Sequence, residues 1–274
     1  LNQVRAGVLD IAYFELGPAD GVATILLHGF PYDEHAYDEV ASTLAASGHR
    51  CIVPFLRGYG ATRFLSPTTP RSGEQAALGA DLLSLMDALG IEKAILGGYD
   101  WGGRAACIVS ALWPERVIGL VSAGAGYNIQ DIAGTANPGA PDREARHWYQ
   151  YYFHIERGRK GPEQQRRQIC RFLRQTWSPP WSFDDATFER SAASFGKCTG
   201  CFQSIRKRWQ ERAKSSSAGL LLRQSLPRTT KYRPSGVCGY EGLSCALIIE
   251  GSAGQVRAAP APGVLRAVST PSRH

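Results

Sequence analysis

The stretch Gly98 to Gly103 (GYDWGG) constrains this chain most, because it sets an Asp between small residues where one apolar pattern gives way to another. Ile91 to Leu96 (IEKAIL) ends in an apolar run suited to a buried strand, and Arg104 to Trp113 (RAACIVSALW) reads as a helix. Small residues at Gly98 and Gly102 let the backbone turn sharply, and such a turn pushes Asp100 out above the sheet edge. Strand, turn and helix in this order are the setting in which a G-x-nucleophile-x-G pattern has physical meaning. The same letters also suit an ordinary strand-to-helix turn capped by Asp, a good acceptor for free helical N–H groups.

Strands and helices alternate on both sides of this turn. Val8 to Glu15 alternates apolar and polar residues like a half-exposed strand, with the turn residues GPADG after it, so an edge hairpin is expected at the start. Ala23 to Leu27 is a short apolar strand running into His28-Gly29-Phe30-Pro31. A helix is expected from about Tyr37 to Ala46, then a strand from Cys51 to Phe55 and a turn at Arg57-Gly58-Tyr59-Gly60. Gly73 to Leu89 is amphipathic, with Ala77, Leu78, Leu82, Leu85, Met86 and Leu89 on one face. Pro114 ends the helix after the turn, and Val117 to Val121 is a further buried strand. This rhythm implies an α/β fold, a mostly parallel sheet with helices on both faces.

Beyond it the chain changes character. Residues 128–141 are rich in Gly, Pro and Ala and read as a linker. Helices follow at Asp142 to Arg157, Pro162 to Trp177 and Asp184 to Phe195, separated by Gly158 to Gly161 and Ser178 to Pro180, and are expected to form an inserted lid. Three parts result: an α/β core over 1–127, a helical lid over 128–195, and an irregular tail over 196–274 with one late strand at Cys245 to Ile249.

Charge divides at the same place. Residues 196–274 carry 13 Lys and Arg against 3 Asp and Glu, whereas residues 1–195 carry 18 against 21. The formal excess of +7 is therefore a property of the tail, and its basic clusters lack the aromatic platform or module of a nucleic-acid binder. No apolar run reaches bilayer length and the first residues do not resemble a signal peptide, so the expected location is cytoplasmic, with no membrane and no nucleic-acid partner. The start at Leu1 points to a fragment or an unusual start. Seven cysteines show no disulfide framework, and Cys198-x-x-Cys201 lacks a second ligand pair, Cys238 and Cys245 having the wrong spacing for zinc. No metal and no cofactor are expected.

With these motifs in order, residues 5 to about 195 resemble the α/β-hydrolase superfamily, and within it the epoxide hydrolase branch. Four stretches carry the resemblance: HGFP at His28 to Pro31, RGYG at Arg57 to Gly60, GYDWGG, and YQYYF at Tyr149 to Phe153. It implies a nucleophile elbow at Asp100 with Gly98 and Gly102, and an oxyanion loop of His28, Gly29, Phe30 and Pro31. Its oxyanion donors would be the backbone N–H groups of Phe30 and Trp101, and Tyr149 would donate a hydrogen bond to the epoxide oxygen. Tyr151 and Tyr152 stand in if the register differs. The implied substrate is a small apolar epoxide or a halogenated compound.

An Asp nucleophile has its own chemistry. A carboxylate attacks an alkyl carbon and becomes an ester, which water must then cleave at the carbonyl of Asp100. A departing epoxide oxygen needs a proton donor, which favours Tyr149, while a halide wants N–H donors, usually Trp101 with an Asn after the oxyanion-loop Gly or a second Trp, and position 30 is Phe rather than Asn. The resemblance also implies a late His in a G-x-G-H-like turn and an acid to orient it, and a second lid Tyr soon after Phe195. The tail offers only His274, the final residue, and Glu250, with Asp131 as an acid from another strand end. His35, His49, His147 and His154 are expected to be surface or lid residues. All the departures fall after Phe195, which suggests an out-of-frame or decayed tail on a truncated hydrolase, impaired in the hydrolytic step. A dehalogenase-like enzyme and a non-catalytic binder on the same scaffold are the alternatives.

Overall fold

The computed structural model describes residues 1–124, 137–195 and 244–248. Its centre is one eight-stranded sheet in the order β1-β2-β4-β3-β6-β7-β8, with the short β5 (Arg63–Phe64) paired to β2. The inner strands β4 (His49–Pro54), β3 (Val22–Leu27), β6 (Ala94–Tyr99) and β7 (Val117–Gly124) are parallel. On one side β2 (Leu9–Leu16) pairs antiparallel with β4 and β1 (Asn2–Ala6) antiparallel with β2, and β8 (Ser244–Ile248) pairs antiparallel with β7 on the other.

Parallel strands need helical crossovers, and these cover both faces. α2 (Gln75–Ala88) and α3 (Asp100–Leu112) lie over one face, where Leu78, Leu82, Leu85 and Met86 pack with Ala105, Ala106 and Val109 on Ile25, Leu27, Ile52 and Leu96. α1 (Asp38–Ala46) follows a 3-10 turn at Glu34–Tyr37 and covers the other face, setting Ala41 against Leu26, Cys51 and Val53. The run Ile25-Leu26-Leu27 thus feeds both layers, and each such buried side chain contributes roughly 1.5–3 kcal/mol.

Among the described residues, four helices lie between β7 and β8 in the chain: α4 (Pro141–Arg146), α5 (Trp148–His154), α6 (Glu156–Trp177) and α7 (Asp185–Phe195). Phe153, Cys170, Leu173, Phe188 and Ala192 from α5, α6 and α7 form a cluster with Phe30, and Trp101, Tyr149 and Trp177 pack against it. These helices therefore rest on the loop after β3 and the start of α3. Among the described residues, no helix is long and apolar enough to cross a membrane.

Several boundaries differ from the sequence expectations for physical reasons. The opening hairpin is β1–β2, turning at Gly7 (φ 55), rather than an arm followed by GPADG. β1 was missed because NQVRA is a mostly exposed edge with little apolar alternation. α3 begins at Asp100 itself and not at Arg104. The helix expected over Asp142 to Arg157 is broken at His147 and Ile155, while α6 runs through Gly158 to Gly161 and Pro162, with a non-helical Gln165. Gly158 lies inside the helix rather than in a break between two, and a methyl group there would overlap the Tyr152 backbone carbonyl.

Candidate active site

Asp100 stands where β6 ends and α3 begins, with φ 47, the one positive-φ non-glycine residue among the described residues. A left-handed Asp costs about 1–3 kcal/mol and persists only where its surroundings enforce it. Enforcement comes from backbone crowding. A methyl group at Gly98 would lie 2.6 Å from the Gly102 carbonyl carbon, and one at Gly102 would overlap the Leu27 carbonyl and lie 2.6 Å from the His28 oxygen. Strand end, elbow and first helical turn are thus in backbone contact, which only glycine permits.

The loop after β3 meets Asp100 directly. Phe30 N–H donates to Asp100 Oδ2 at 2.9 Å, and Gly29 makes room, since a methyl group there would lie 2.6 Å from Asp100 Cβ. The Phe30–Pro31 peptide bond is cis. His28 is fully buried; its Nε2 accepts Leu56 N–H at 3.1 Å, so Nδ1 carries the proton and faces the Gly29 carbonyl at 3.3 Å. Burial pushes its pKa down to about 4, against the opposing pull of Asp33 and the backbone carbonyls. His28 is a neutral tie between the loops after β3 and β4.

The RGYG turn supports the same corner. Arg57 forks onto Asp81 of α2 (Nε to Oδ2 2.5 Å, Nη2 to Oδ1 2.6 Å) and donates to the Ser72 carbonyl at 2.8 Å. Tyr59 packs edge-on to His28 at 4.5 Å, and its pKa is raised by burial and, next, by the charge of Asp100.

Phe30, Trp101 and Tyr149 are brought together. Tyr149 stacks on Phe30 (ring centroids 6.0 Å apart, 22° between planes), 5.0 Å from Trp177 and 6.0 Å from Phe153, and its hydroxyl accepts from Gln150 Nε2 at 3.2 Å. Trp101 packs against the same cluster, with the Arg104 guanidinium 4.6 Å over its ring. Of the substitute tyrosines, Tyr151 is 55% exposed and donates to Glu144, which raises its pKa, and Tyr152 packs beside Trp148. A cleft of about 1360 Å³ opens beside Asp100, lined among others by Tyr99, Arg104, Gln150, Arg174 and Trp181.

His35 and His147 also line this cleft, although the sequence marked them only as surface or lid residues. His35 lies 3.2 Å from Glu34 Oε1 and 3.3 Å from the Asp38 carboxylate, and His147 Nδ1 is 2.8 Å from the Arg143 carbonyl. His49 instead holds Thr24 Oγ1 at 2.9 Å. Asp131, Glu250 and His274, as well as Cys198 and Cys201, lie outside the described residues.

Sequence reasoning missed the buried polar group after the oxyanion-loop motif. Asp33 caps the 3-10 turn (His35 N–H to Oδ1, 3.3 Å) and accepts from Ser194 Oγ at 2.7 Å. Glu34 is 2% exposed, and burial, helped by Asp33, pushes its pKa up to about 9. Asp33, Glu34 and His35 place ligand atoms within 4.8 Å of one another. Both Asp33 oxygens already accept hydrogen bonds, from His35 N–H and Ser194 Oγ, while Glu34 Oε2 is buried with no hydrogen-bond partner. Nothing in YDEH distinguishes these acids from solvated ones.

Comparison with known proteins agrees with this geometry. A family model described as the alpha/beta hydrolase fold matches residues 23–233. A solved structure from Klebsiella pneumoniae, provisionally called an epoxide hydrolase, is 44% identical with a TM-score of 0.76, covering 84% of this chain and 78% of that one. Epoxide hydrolase 3 of Siraitia grosvenorii is 39% identical over 102 residues, 37% of this chain and 32% of that protein. Epoxide hydrolase B of Mycobacterium tuberculosis is 30% identical over 151 residues, 50% of this chain and 41% of that protein. The matched stretch thus spans less than half the length of these two relatives. Elbow, loop and sheet order together with these likenesses lead to one conclusion: the chain belongs to the α/β hydrolase fold family and is epoxide hydrolase-like within it.

Proposed function

We propose that the protein opens small apolar epoxides by attack of Asp100, forming a covalent alkyl ester. The observation that carries this reading is the 2.9 Å bond from Phe30 N–H to Asp100 Oδ2 at a left-handed elbow. It divides the carboxylate's labour. Oδ1 attacks the epoxide carbon as that carbon's bond to the epoxide oxygen breaks, and Oδ2 becomes the ester carbonyl oxygen, already in its oxyanion site. The alkoxide takes its proton from the Tyr149 hydroxyl; the Tyr149 ring stacks on Phe30, the residue whose N–H meets Asp100. The helices α4 to α7 act as the lid, and their aromatic cluster excludes water from the first step.

In the second step water adds to the Asp100 carbonyl, negative charge gathers on Oδ2, and collapse releases the diol and restores the carboxylate. The N–H groups of Phe30 and Trp101 would stabilise that charge, each such donor lowering the barrier by about 3 kcal/mol. His35 and His147 are the described histidines on the cleft, and a base for this step comes from them or from residues outside the described ones, His274 with Glu250 or Asp131 included.

Epoxide is preferred to halide because the Tyr149 phenol stacked on Phe30 suits an alkoxide and position 30 offers no side-chain N–H; the indoles of Trp101 and Trp177 in the same cluster are the donors a halide would use. The test compares styrene oxide with 1-bromobutane, following diol or ester against bromide. Epoxide-derived product that disappears in Asp100→Asn is expected; bromide release without it, or an unaffected Asp100→Asn, refutes the reading.

A further inference from the structure

The oxyanion donor sits on a loop that has left the sheet, so something must fix it. Residues 31, 32 and 33, which directly follow Phe30, are held from the lid. Arg174 of α6, 1% exposed, donates from both Nε (3.2 Å) and Nη2 (2.9 Å) to the Pro31 carbonyl, across 143 residues of chain. Its guanidinium carbon lies 4.5 Å over the Tyr32 ring. Ser194 of α7 donates to Asp33 Oδ2 at 2.7 Å, with both residues buried and 161 positions apart.

Burying a guanidinium costs several kcal/mol, and here burial lowers the pKa of Arg174. An aliphatic side chain would fill the same space more cheaply, but it could not fix the direction of the Pro31 carbonyl. Direction matters at this point: a shift of about 0.7 Å takes a 2.9 Å bond out of hydrogen-bonding range.

We infer that Arg174 and Ser194 are positioning residues that hold the Phe30 N–H against Asp100 Oδ2, so that the seated lid sets the oxyanion site for ester cleavage. This rests on the nucleophile reading above. The lid thereby acts on the second chemical step as well as covering the first.

The test uses the full chain with Arg174→Met, Arg174→Lys and Ser194→Ala, and two readouts. Hydrogen exchange of the peptide covering residues 28–37 reports the loop without any chemistry. Exchange at least about tenfold faster is expected in Arg174→Met, with smaller effects in Ser194→Ala and Arg174→Lys. The second readout loads Asp100 with styrene oxide and cleaves the ester with hydroxylamine. The hydroxylamine nitrogen adds to the Asp100 carbonyl, the ester C–O bond breaks, the diol leaves and a hydroxamate remains, through the same tetrahedral oxyanion.

Cleavage in Arg174→Met should slow about 10- to 100-fold more than ester formation does, with partial recovery in Arg174→Lys. Folded variants whose exchange and cleavage match the wild type overturn the inference. If Arg174→Met does not fold, Ser194→Ala decides on the same criteria. If the wild type forms no ester, the nucleophile reading falls, and the exchange result alone decides whether Arg174 and Ser194 hold the loop.

Discussion

Gly102→Ala is the perturbation that probes the elbow most sharply, because its neighbour supplies the control. A methyl group at Gly102 overlaps the Leu27 carbonyl and lies 2.6 Å from the His28 oxygen, whereas one at Gly103 has nothing nearer than 3.3 Å. Carbon and oxygen rarely approach within about 3.3 Å, so the His28 carbonyl must retreat by about 0.7 Å and Leu27 by more. Leu27 cannot follow freely, since its carbonyl accepts from Tyr37 Oη at 3.0 Å and its register with Gly98 holds it in the sheet. Overpacking of this kind costs about 3 kcal/mol, a fall in Tm of about 6–12 °C for a domain of this size. The displaced segment leads to Phe30, so ester cleavage should also drop about 100-fold. Gly103→Ala, by contrast, should stay within about 4 °C of the wild-type melting temperature, because its methyl group asks the Gly98 carbonyl to give by only a few tenths of an ångström while Ala is favoured over Gly in a helix by about 1 kcal/mol. Thermal melts by circular dichroism with single-turnover ester kinetics make the comparison. A Gly102→Ala protein that melts within about 2 °C of Gly103→Ala and keeps its kinetics would refute the crowding argument.

Two further outcomes follow from buried charge. His28 takes a proton near 6.5 when unfolded but only near 4 when folded, so the unfolded chain binds more protons between these values. Its stabilisation is full above pH 6.5 and is lost as pH falls towards 4, by about 3 kcal/mol in total. Urea denaturation of wild type and His28→Gln should show a gap that narrows over this window; the difference isolates His28 from Glu34, whose raised pKa acts in the opposite sense. Arg57→Met leaves the partly buried Asp81 carboxylate without its guanidinium and should cost about 3 kcal/mol, with part recovered in Arg57→Met/Asp81→Leu. Equal stability of the two variants would show that Asp81 is not left in difficulty.

The elbow was legible because its chemistry is local: an apolar run, two glycines and a helix pattern within about twenty residues specify the turn and what it displays. The close approach of the loop after β3 to the elbow was legible for the same reason, as were the inner strands, whose apolar runs need burial on both faces. What stayed hidden depends on partners distant in sequence. Arg174 looked like one of many basic residues on a polar helix until Pro31 and Tyr32 were placed against it. Asp33 and Glu34 looked like solvated acids until α7 covered them. Gly158 imitates a break between helices because a glycine needed for close approach and one needed for a turn are the same letter.

The most direct measurement of the central claim is the site of the covalent adduct. The protein is incubated briefly with styrene oxide, quenched in acid and mapped by peptide mass spectrometry. A single adduct on the peptide containing Asp100, labile to hydroxylamine and missing from Asp100→Asn, is the expected result. An adduct on another residue, or one that persists in Asp100→Asn, would contradict the assignment of Asp100 as the nucleophile.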